Sequence, residues 1–225
     1  RAVMLVLLLA PAFLAARREW GLRAALPLAA LAALLIVLHR SETSLMCLAG
    51  MAVAAPLAFW RPRPLMWAGL IGLGLLCAAP PFLHGHIPSA REIARAHPEI
   101  SKSLLARFII LEYAASRITE RPLIGFGFDA AREIGGREPQ RHYDFDPFPD
   151  GSTYRPLMEP IPLHTHNGVI QIWLELGAVG GLIGTLILML TWTKALGETN
   201  AWQRAGSAAL FMAAMAPMLS SYSLF

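Results

Sequence analysis

Leu163-His164-Thr165-His166-Asn167-Gly168 runs directly into Val169-Ile170-Gln171-Ile172-Trp173-Leu174-Glu175-Leu176-Gly177, the opening of an apolar run that reaches Leu190. A membrane-spanning helix needs about 20 predominantly apolar residues, so 169–190 is read as one. A polar hexapeptide bearing two imidazoles therefore stands at the mouth of that helix. Asn167 is suited to cap it, because its side-chain oxygen can accept from the first free backbone N–H groups. Glu175 follows eight residues later, about 12 Å along the axis at the standard rise. Ionisable groups at or below a membrane surface are costly and mark candidate functional positions. Glu175 is expected either to pair with a cation from another helix, or else to snorkel or lie in a polar crevice between helices. Gly177, Gly180, Gly181 and Gly184 form overlapping small-xxx-small pairs, which predict close helix packing.

Outward from this stretch, the composition gives the class. Of 225 residues, 56% are hydrophobic and 15% charged, with mean hydropathy +0.50. A soluble domain would carry more charge and fewer long apolar runs. Six apolar runs can be marked, at 2–16, 24–38, 44–60, 65–83, 169–190 and 207–225. The predicted fold is all-α: a polytopic transmembrane helical bundle with one long loop containing short helices. Its parts are 1–83 with about four membrane helices, the loop domain 84–168, and 169–225 with two more helices. The chain starts at Arg1 inside one apolar run and ends at Phe225 inside another. We therefore expect a C-terminal portion of a longer membrane protein whose first helix is truncated. Residues 1–16 lack the cleavage site of a secretory leader.

Charge placement predicts the orientation. Arg17, Arg18 and Arg23 fall between the first two runs, Arg61 and Arg63 between the third and fourth, and Lys194 and Arg204 between the last two. Short basic connectors face the cytoplasm, so 39–44 and 84–168 are expected on the opposite side. The net charge of +4 comes without a Lys-rich run or aromatic-basic interleaving, so no nucleic-acid partner is expected. Cys47 and Cys77 both lie in apolar runs and are read as packing residues.

Within 84–168, Ser89 and Ser101 are expected to cap two helices, one to His97 and one to about Glu120. In the second, Leu104, Phe108, Leu111, Ala115 and Ile118 recur at helical spacing and mark its buried stripe. Arg121-Pro122 ends it, since the residue before proline avoids the helical region. Gly125-Phe126-Gly127-Phe128 reads as a tight turn. Gly135-Gly136 and the Pro-rich stretch 139–162 read as irregular loop. Tyr143, Phe145, Phe148 and Tyr154 are expected against the membrane surface, where aromatic rings are favoured.

Three readings compete for His164 and His166. A His-x-His pair can ligate metal, yet no third and fourth ligand stand at matching spacing, and none is assigned. The bland reading is a pair of interface histidines bonded to backbone. The third is a general base beside a helix N-terminus, whose free N–H groups and dipole favour a nearby anion. Arg107, Arg117 and Arg121, with Arg40 in the polar cluster His39-Arg40-Glu42, are candidate anion binders. The planar guanidinium donates two parallel hydrogen bonds to phosphate and stays charged.

Ser41-Glu42-Thr43-Ser44, then Ser103 to Phe128 ending in Glu120-Arg121-Pro122-Leu123-Ile124-Gly125-Phe126-Gly127-Phe128, then His164 to Gly177, together resemble the bacterial O-antigen ligase/polymerase family. The last stretch is the most specific and the first the weakest. The resemblance implies a multi-pass, GT-C-like glycosyltransferase of the bacterial inner membrane, metal-independent and without cofactor, with its active site facing the periplasm. It implies an undecaprenyl-diphosphate-linked glycan as donor, a glycan or lipid A-core as acceptor, and membrane lipid as surroundings. His166 would be the essential histidine with His164 beside it. Arg107 matches the loop arginine that faces the diphosphate, with Arg121, Arg40 and Asn167 as further substrate contacts. The family often carries Arg or Lys where this chain has Glu42, which leaves Arg40 as the base at that end of the second run. A polysaccharide polymerase or a protein O-oligosaccharyltransferase shares the same motifs. The rival class is a transporter of lipid-linked glycan, which would more typically show internal repeats and paired broken helices; no repeat is visible in this sequence.

Overall fold

The computed structural model describes residues 2–97, 99–145 and 155–220. Phe148 and Tyr154, and the end of the last apolar run from 221 on, lie outside the described residues. Among the described residues the chain is all-helical apart from one two-stranded ribbon. It divides into two compact units, Arg1–Gly74 with Leu186–Ser221, and Leu75–Thr185.

The first unit holds α1 (Ala2–Trp20), α2 (Leu22–Leu38), α3 (Glu42–Trp60), most of α4 (Pro62–Ala78) and α9 (Ala201–Ser220). Its core joins Val6 and Ala10 of α1, Ile36 of α2, Cys47 and Met51 of α3, and Ala209, Ala213 and Ala216 of α9. Ala209 and Ala213 of α9 and Gly50 of α3, where an added Cβ would lie 3.3 Å from Met212 Cβ, let the α3 and α9 backbones approach closely. The Cys47 thiol donates to the Ala213 carbonyl at 3.2 Å. Both cysteines are free and buried. Arg204 turns inward to the last carbonyls of α3, donating to Ala58 at 2.7 Å and to Phe59 at 3.3 Å, a cation satisfying a helix C-terminus. Ser41 caps α3 by accepting from the Ser44 amide.

Among the described residues two helices are long and apolar enough to cross a membrane, α3 and α8 (Gly168–Gly197), while α2 and α4 are apolar but shorter. Their outward faces are apolar as well. Leu34, Val53, Leu75, Ile183 and Leu190 are each more than half exposed. Exposed apolar surface of that extent fits lipid contact rather than water.

The second unit carries the short helices. In α5 (Ala90–Ala96) a full capping box forms: the Glu92 amide donates to Ser89 Oγ and the Ser89 amide to Glu92 Oε2. Ser101 caps α6 (Lys102–Glu120) by accepting from Leu104 N at 3.2 Å. The buried stripe of α6 differs from the expected one. Ala115 and Ile118 are buried, but Leu104 is exposed and Leu105, Ile109, Ile110 and Ala114 are buried instead. The reason is that α6 packs on two sides. Ile110, Ala114 and Ile118 meet Ile170 and Leu174 of α8. Leu105 and Ile109 meet Ala90 and Ala94 of α5 with Phe145. A single-stripe reading cannot place residues that serve two cores.

Three further expectations are corrected. Phe145 is not at a membrane surface: it is 4% exposed inside the α5–α6 cluster, and Tyr143 packs against the same cluster. Gly135-Gly136 is not loop but the end of α7 (Ala130–Arg137). There Ala130, Ala131 and Ile134 are buried, and a Cβ on Gly135 would fall 2.0 Å from the Ile161 carbonyl oxygen. The helix thus needs glycine where it lies against the chain at 161–162. The stretch 139–162 is also not wholly irregular. β1 (Arg141–His142) pairs antiparallel with β2 (Leu157–Met158), with Arg141 opposite Met158, and Tyr143 N donates to Pro156 O at 3.1 Å.

Candidate functional site

The site is built on the entry to α8. Asn167 Oδ1 accepts from Val169 N at 3.0 Å and Ile170 N at 3.2 Å, satisfying two of the helix's free donors. One residue earlier, His166 adopts φ 55°, a left-handed conformation that costs a non-glycine residue free energy. That turn aims its amide at His164 Nδ1, 3.2 Å away. Because Nδ1 accepts, the proton of a neutral His164 sits on Nε2. The two rings stand 4.2 Å apart at 65°.

Both imidazoles are held below the ordinary histidine range. Burial depresses His164. Burial also depresses His166, and the neighbouring His164 and Arg107 push it further the same way. Arg107 projects from α6, half-buried, and forms no ion pair among the described residues. A neutral imidazole, an uncommitted guanidinium and a capped helix N-terminus thus share one locality. A neutral imidazole accepts protons, and the other two groups attract anions.

Behind the turn runs a buried polar string. Thr165 is 3% exposed, Gln171 2% and Glu175 0%. Thr165 N donates to Gln171 Oε1 at 2.9 Å, and the Thr165 hydroxyl lies 2.8 Å from Asn167 O and 3.1 Å from the same Gln171 oxygen. Gln171 Nε2 donates to Glu175 Oε1 at 2.7 Å. The amide of Gln171 therefore faces both ways, tying the histidine turn to a carboxylate one helical turn below. Of the two fates expected for Glu175, the polar crevice is observed. No cation pairs with it among the described residues, and its neighbours beyond Gln171 are the backbone of Asp129 and Ala131 at the start of α7.

Below Glu175 the helix breaks. Gly177 has φ 60° and ψ −153°. The backbone groups left free are taken up by the turn after α6. Phe126 N donates to Leu174 O at 2.9 Å and Gly127 N to Glu175 O at 2.8 Å. In return Ala178 N donates to Pro122 O at 2.8 Å and Val179 N to Leu123 O at 3.2 Å. The two backbones are so close that a Cβ on Gly177 would lie 2.5 Å from Leu123 C, and one on Gly125 2.4 Å from Glu175 C. Only glycine fits either place. Past the break the chain folds back on itself. A Cβ on Gly184 would lie 3.5 Å from Ile172 Cδ1, although twelve residues of straight helix span about 18 Å. The small-residue face 180–184 does serve close packing, but its partner is the opening of the same helix, where Gly180 meets Leu176 and Gly181 meets Trp173.

The other candidates lie elsewhere. Arg121 is exposed, with its guanidinium over the Phe126 ring at 5.0 Å, and Arg117 stacks on the same ring at 5.0 Å while bonding Glu120. Both therefore steady the turn that grips the broken helix. Arg40 is exposed at φ 53° in the turn before α3, within the first unit. Among the described residues no cluster of three or more His, Cys, Asp or Glu side chains could hold a metal ion. Sequence reasoning passed over Gln171 and Thr165. The available signal was spacing: Gln171 stands four residues before Glu175 on one helix face. It also passed over the break, whose signal was two glycine-bearing segments, 125–127 and 177.

A family described as "O-Antigen ligase" matches residues 27–188, which holds every site residue named above. Proteins named "Putative polysaccharide ligase" are similar to the chain in Rickettsia felis, at 31% identity over 105 residues, and in Rickettsia bellii, at 34% over 107. These alignments cover 46% and 47% of this chain but only 23% and 24% of the relatives. No solved structure matches the chain significantly.

Proposed function

The chain belongs to the O-antigen ligase family, and from that premise we propose that the full-length protein transfers a glycan from an undecaprenyl-diphosphate carrier to an acceptor hydroxyl on lipid A-core. In this reading it is a multi-pass protein of the bacterial inner membrane. Segment 84–168 lies on the periplasmic side, between the membrane helices of 1–83 and those of 169–225. The donor already carries its leaving group, so the protein must do three things. It removes the acceptor proton, aligns the oxygen with the anomeric carbon, and stabilises the diphosphate as it leaves.

His166 takes the proton. The acceptor oxygen forms its bond to the anomeric carbon as the bond from that carbon to the diphosphate oxygen breaks. The electron pair leaves on the diphosphate, which Arg107 and the amides at the start of α8 stabilise. His164 holds the His166 backbone in place, and the string Thr165–Gln171–Glu175 fixes the turn. Arg121, in the turn that grips the broken helix, is assigned a supporting contact to the lipid-borne substrate. The observation that carries the reading is the turn itself, with the His164 and His166 rings 4.2 Å apart beside a helix N-terminus capped by Asn167 and with Arg107 pressing electrostatically on His166.

The test is a cell-free reaction. Purified full-length protein is supplied with lipid-linked glycan and lipid A-core, and products are separated by gel and mass spectrometry. A new glycan–lipid A conjugate is expected, with release of undecaprenyl diphosphate. Failure to form any conjugate, together with movement of lipid-linked glycan across proteoliposomes, would assign the protein to transport instead.

A further inference from the structure

Helix α6 carries a polar cavity on the side away from Arg107. Glu112, Tyr113 and Ser116 line it, and Ser116 stands nine residues from Arg107. That is about two and a half turns, which puts the two on opposite faces. The cavity measures 460 Å³, within the range of small-ligand sites, about 300–1,000 Å³. Its other polar walls include Arg91 from α5, Arg141 in β1, and Tyr143 and Asp144 just after it, with Ser89 and the imidazoles of His84 and His142 beside them.

The walls are held in place before any ligand arrives. Arg141 donates to Glu138 at 2.8 Å and lies over the Tyr113 ring at 5.5 Å. Tyr113 also bonds Glu138, and burial raises its phenol and that of Tyr143 above the ordinary range, so both stay neutral hydroxyls. Glu112 Oε2 accepts from Ala90 N at 3.3 Å. Asp144 pairs with Arg155 at 3.1 Å. Arg91 is exposed and has no ion pair among the described residues.

The charges decide the class of ligand. Arg91 and Arg141 are matched by Glu112 and Asp144, so the cavity has no net attraction for an anion. What it offers is donors and acceptors interleaved with aromatic rings. A ligand with many hydroxyls, each both donor and acceptor, and with apolar C–H faces satisfies that set; a phosphate or an apolar chain does not. We propose that this cavity is a saccharide-binding subsite that grips sugars several units away from the bond being made. The inference rests on the glycan-transfer reading above. A chain of several sugars spans the helix diameter of about 10 Å, so one glycan can lie in this cavity while its end sits at His166.

Two probes separate donor from acceptor: the repeat-unit oligosaccharide cut from the host's lipid-linked glycan by mild acid, and the core oligosaccharide released from its lipid A. Each is titrated by saturation-transfer NMR into full-length His166→Ala protein, whose turnover is too slow to consume it. One probe is expected to bind, and Arg91→Ala or Tyr143→Leu is expected to weaken it about tenfold. In the active background the same substitutions should raise KM about tenfold for a glycan of several sugars and leave kcat unchanged, with a single-sugar donor unaffected. Each variant is checked for an unchanged melting temperature. If neither probe binds, or if both variants bind within twofold of the parent, the subsite is wrong even when transfer proceeds. If a probe binds and the variants weaken it while the parent transfers nothing, the subsite stands and the transfer reading falls.

Discussion

The two limbs of α8 have similar sequences by hydropathy and opposite environments. Residues 168–176 bury Val169, Ile170, Gln171, Leu174 and Glu175. Beyond Gly177, Val179, Leu182, Ile183, Leu186, Ile187 and Leu190 are each at least half exposed. One limb turns its polar groups inward, and the other turns its apolar groups outward. The first limb can hold an amide and a carboxylate because it is enclosed by α6, α7 and the turn at 122–127. The second carries the composition of a lipid-facing span. A single apolar run therefore contains the candidate site and an outward-facing apolar limb, joined at one glycine. The join is held because four backbone groups at the break, the carbonyls of Leu174 and Glu175 and the amides of Ala178 and Val179, find partners in the turn. Each left unpaired would cost about 1–3 kcal/mol.

The largest effect should come from the mouth of the first limb. His166→Ala is expected to lower the transfer rate by about 10²–10⁴-fold, the range for loss of a general base, with an unchanged melting temperature. Near-normal transfer by a folded His166→Ala protein would remove this residue as the base and leave the first limb without a chemical role.

Next comes the join. Gly177→Ala places a Cβ 2.5 Å from Leu123 C at φ 60°. We expect about 1–3 kcal/mol of destabilisation and a rate loss that follows from displacement of Gln171 and Glu175. Thermal unfolding in detergent reads the first and the transfer assay the second. A variant as stable and active as the parent would mean that the break is not needed.

Arg107 tests the site with its scaffold intact. Arg107→Lys keeps the charge and loses the fork, so transfer should fall about tenfold, mostly through donor affinity. Arg107→Gln removes a cation that holds His166 down. The His166 pKa should then rise, although burial and His164 still hold it below the ordinary range, and the acid limb of the kcat/KM profile should move to higher pH. An unmoved acid limb in Arg107→Gln would separate the two residues.

Much of this was legible in the sequence. The apolar runs, the serine caps of α5 and α6, the end of α6 at Arg121-Pro122 and the cap at Asn167 all follow from local rules, because a cap or a proline acts on neighbours within one turn. What was not legible depends on long-range partners. Phe145 looked like a surface aromatic because nothing local says that α5 and α6 will enclose it. The Leu104 phase failed because α6 serves two cores. Gly177 looked like helix packing because the partner of its broken backbone lies fifty residues upstream, at 122–127. Gln171 was hidden for the opposite reason: it sits in an apolar stretch, where a single polar residue hardly changes the average.

The smallest effect separates glycines that share a pattern. Gly180, Gly181 and Gly184 look equivalent by spacing, but their surroundings differ. A Cβ on Gly180 would fall 2.2 Å from Leu176 Cβ, and one on Gly181 2.8 Å from Trp173 Cε2. On Gly184 the nearest atom is Ile172 Cδ1 at 3.5 Å, an ordinary contact. Gly184→Ala should therefore change stability by no more than about 0.5 kcal/mol, with alanine's better helix propensity offsetting any tightening. Gly180→Ala should cost more, since two side-chain stems cannot both stay. If Gly184→Ala destabilises as strongly as Gly180→Ala, the fold-back at Gly177 is tighter than the distances imply, and the site limb depends on the outward-facing limb along its whole length.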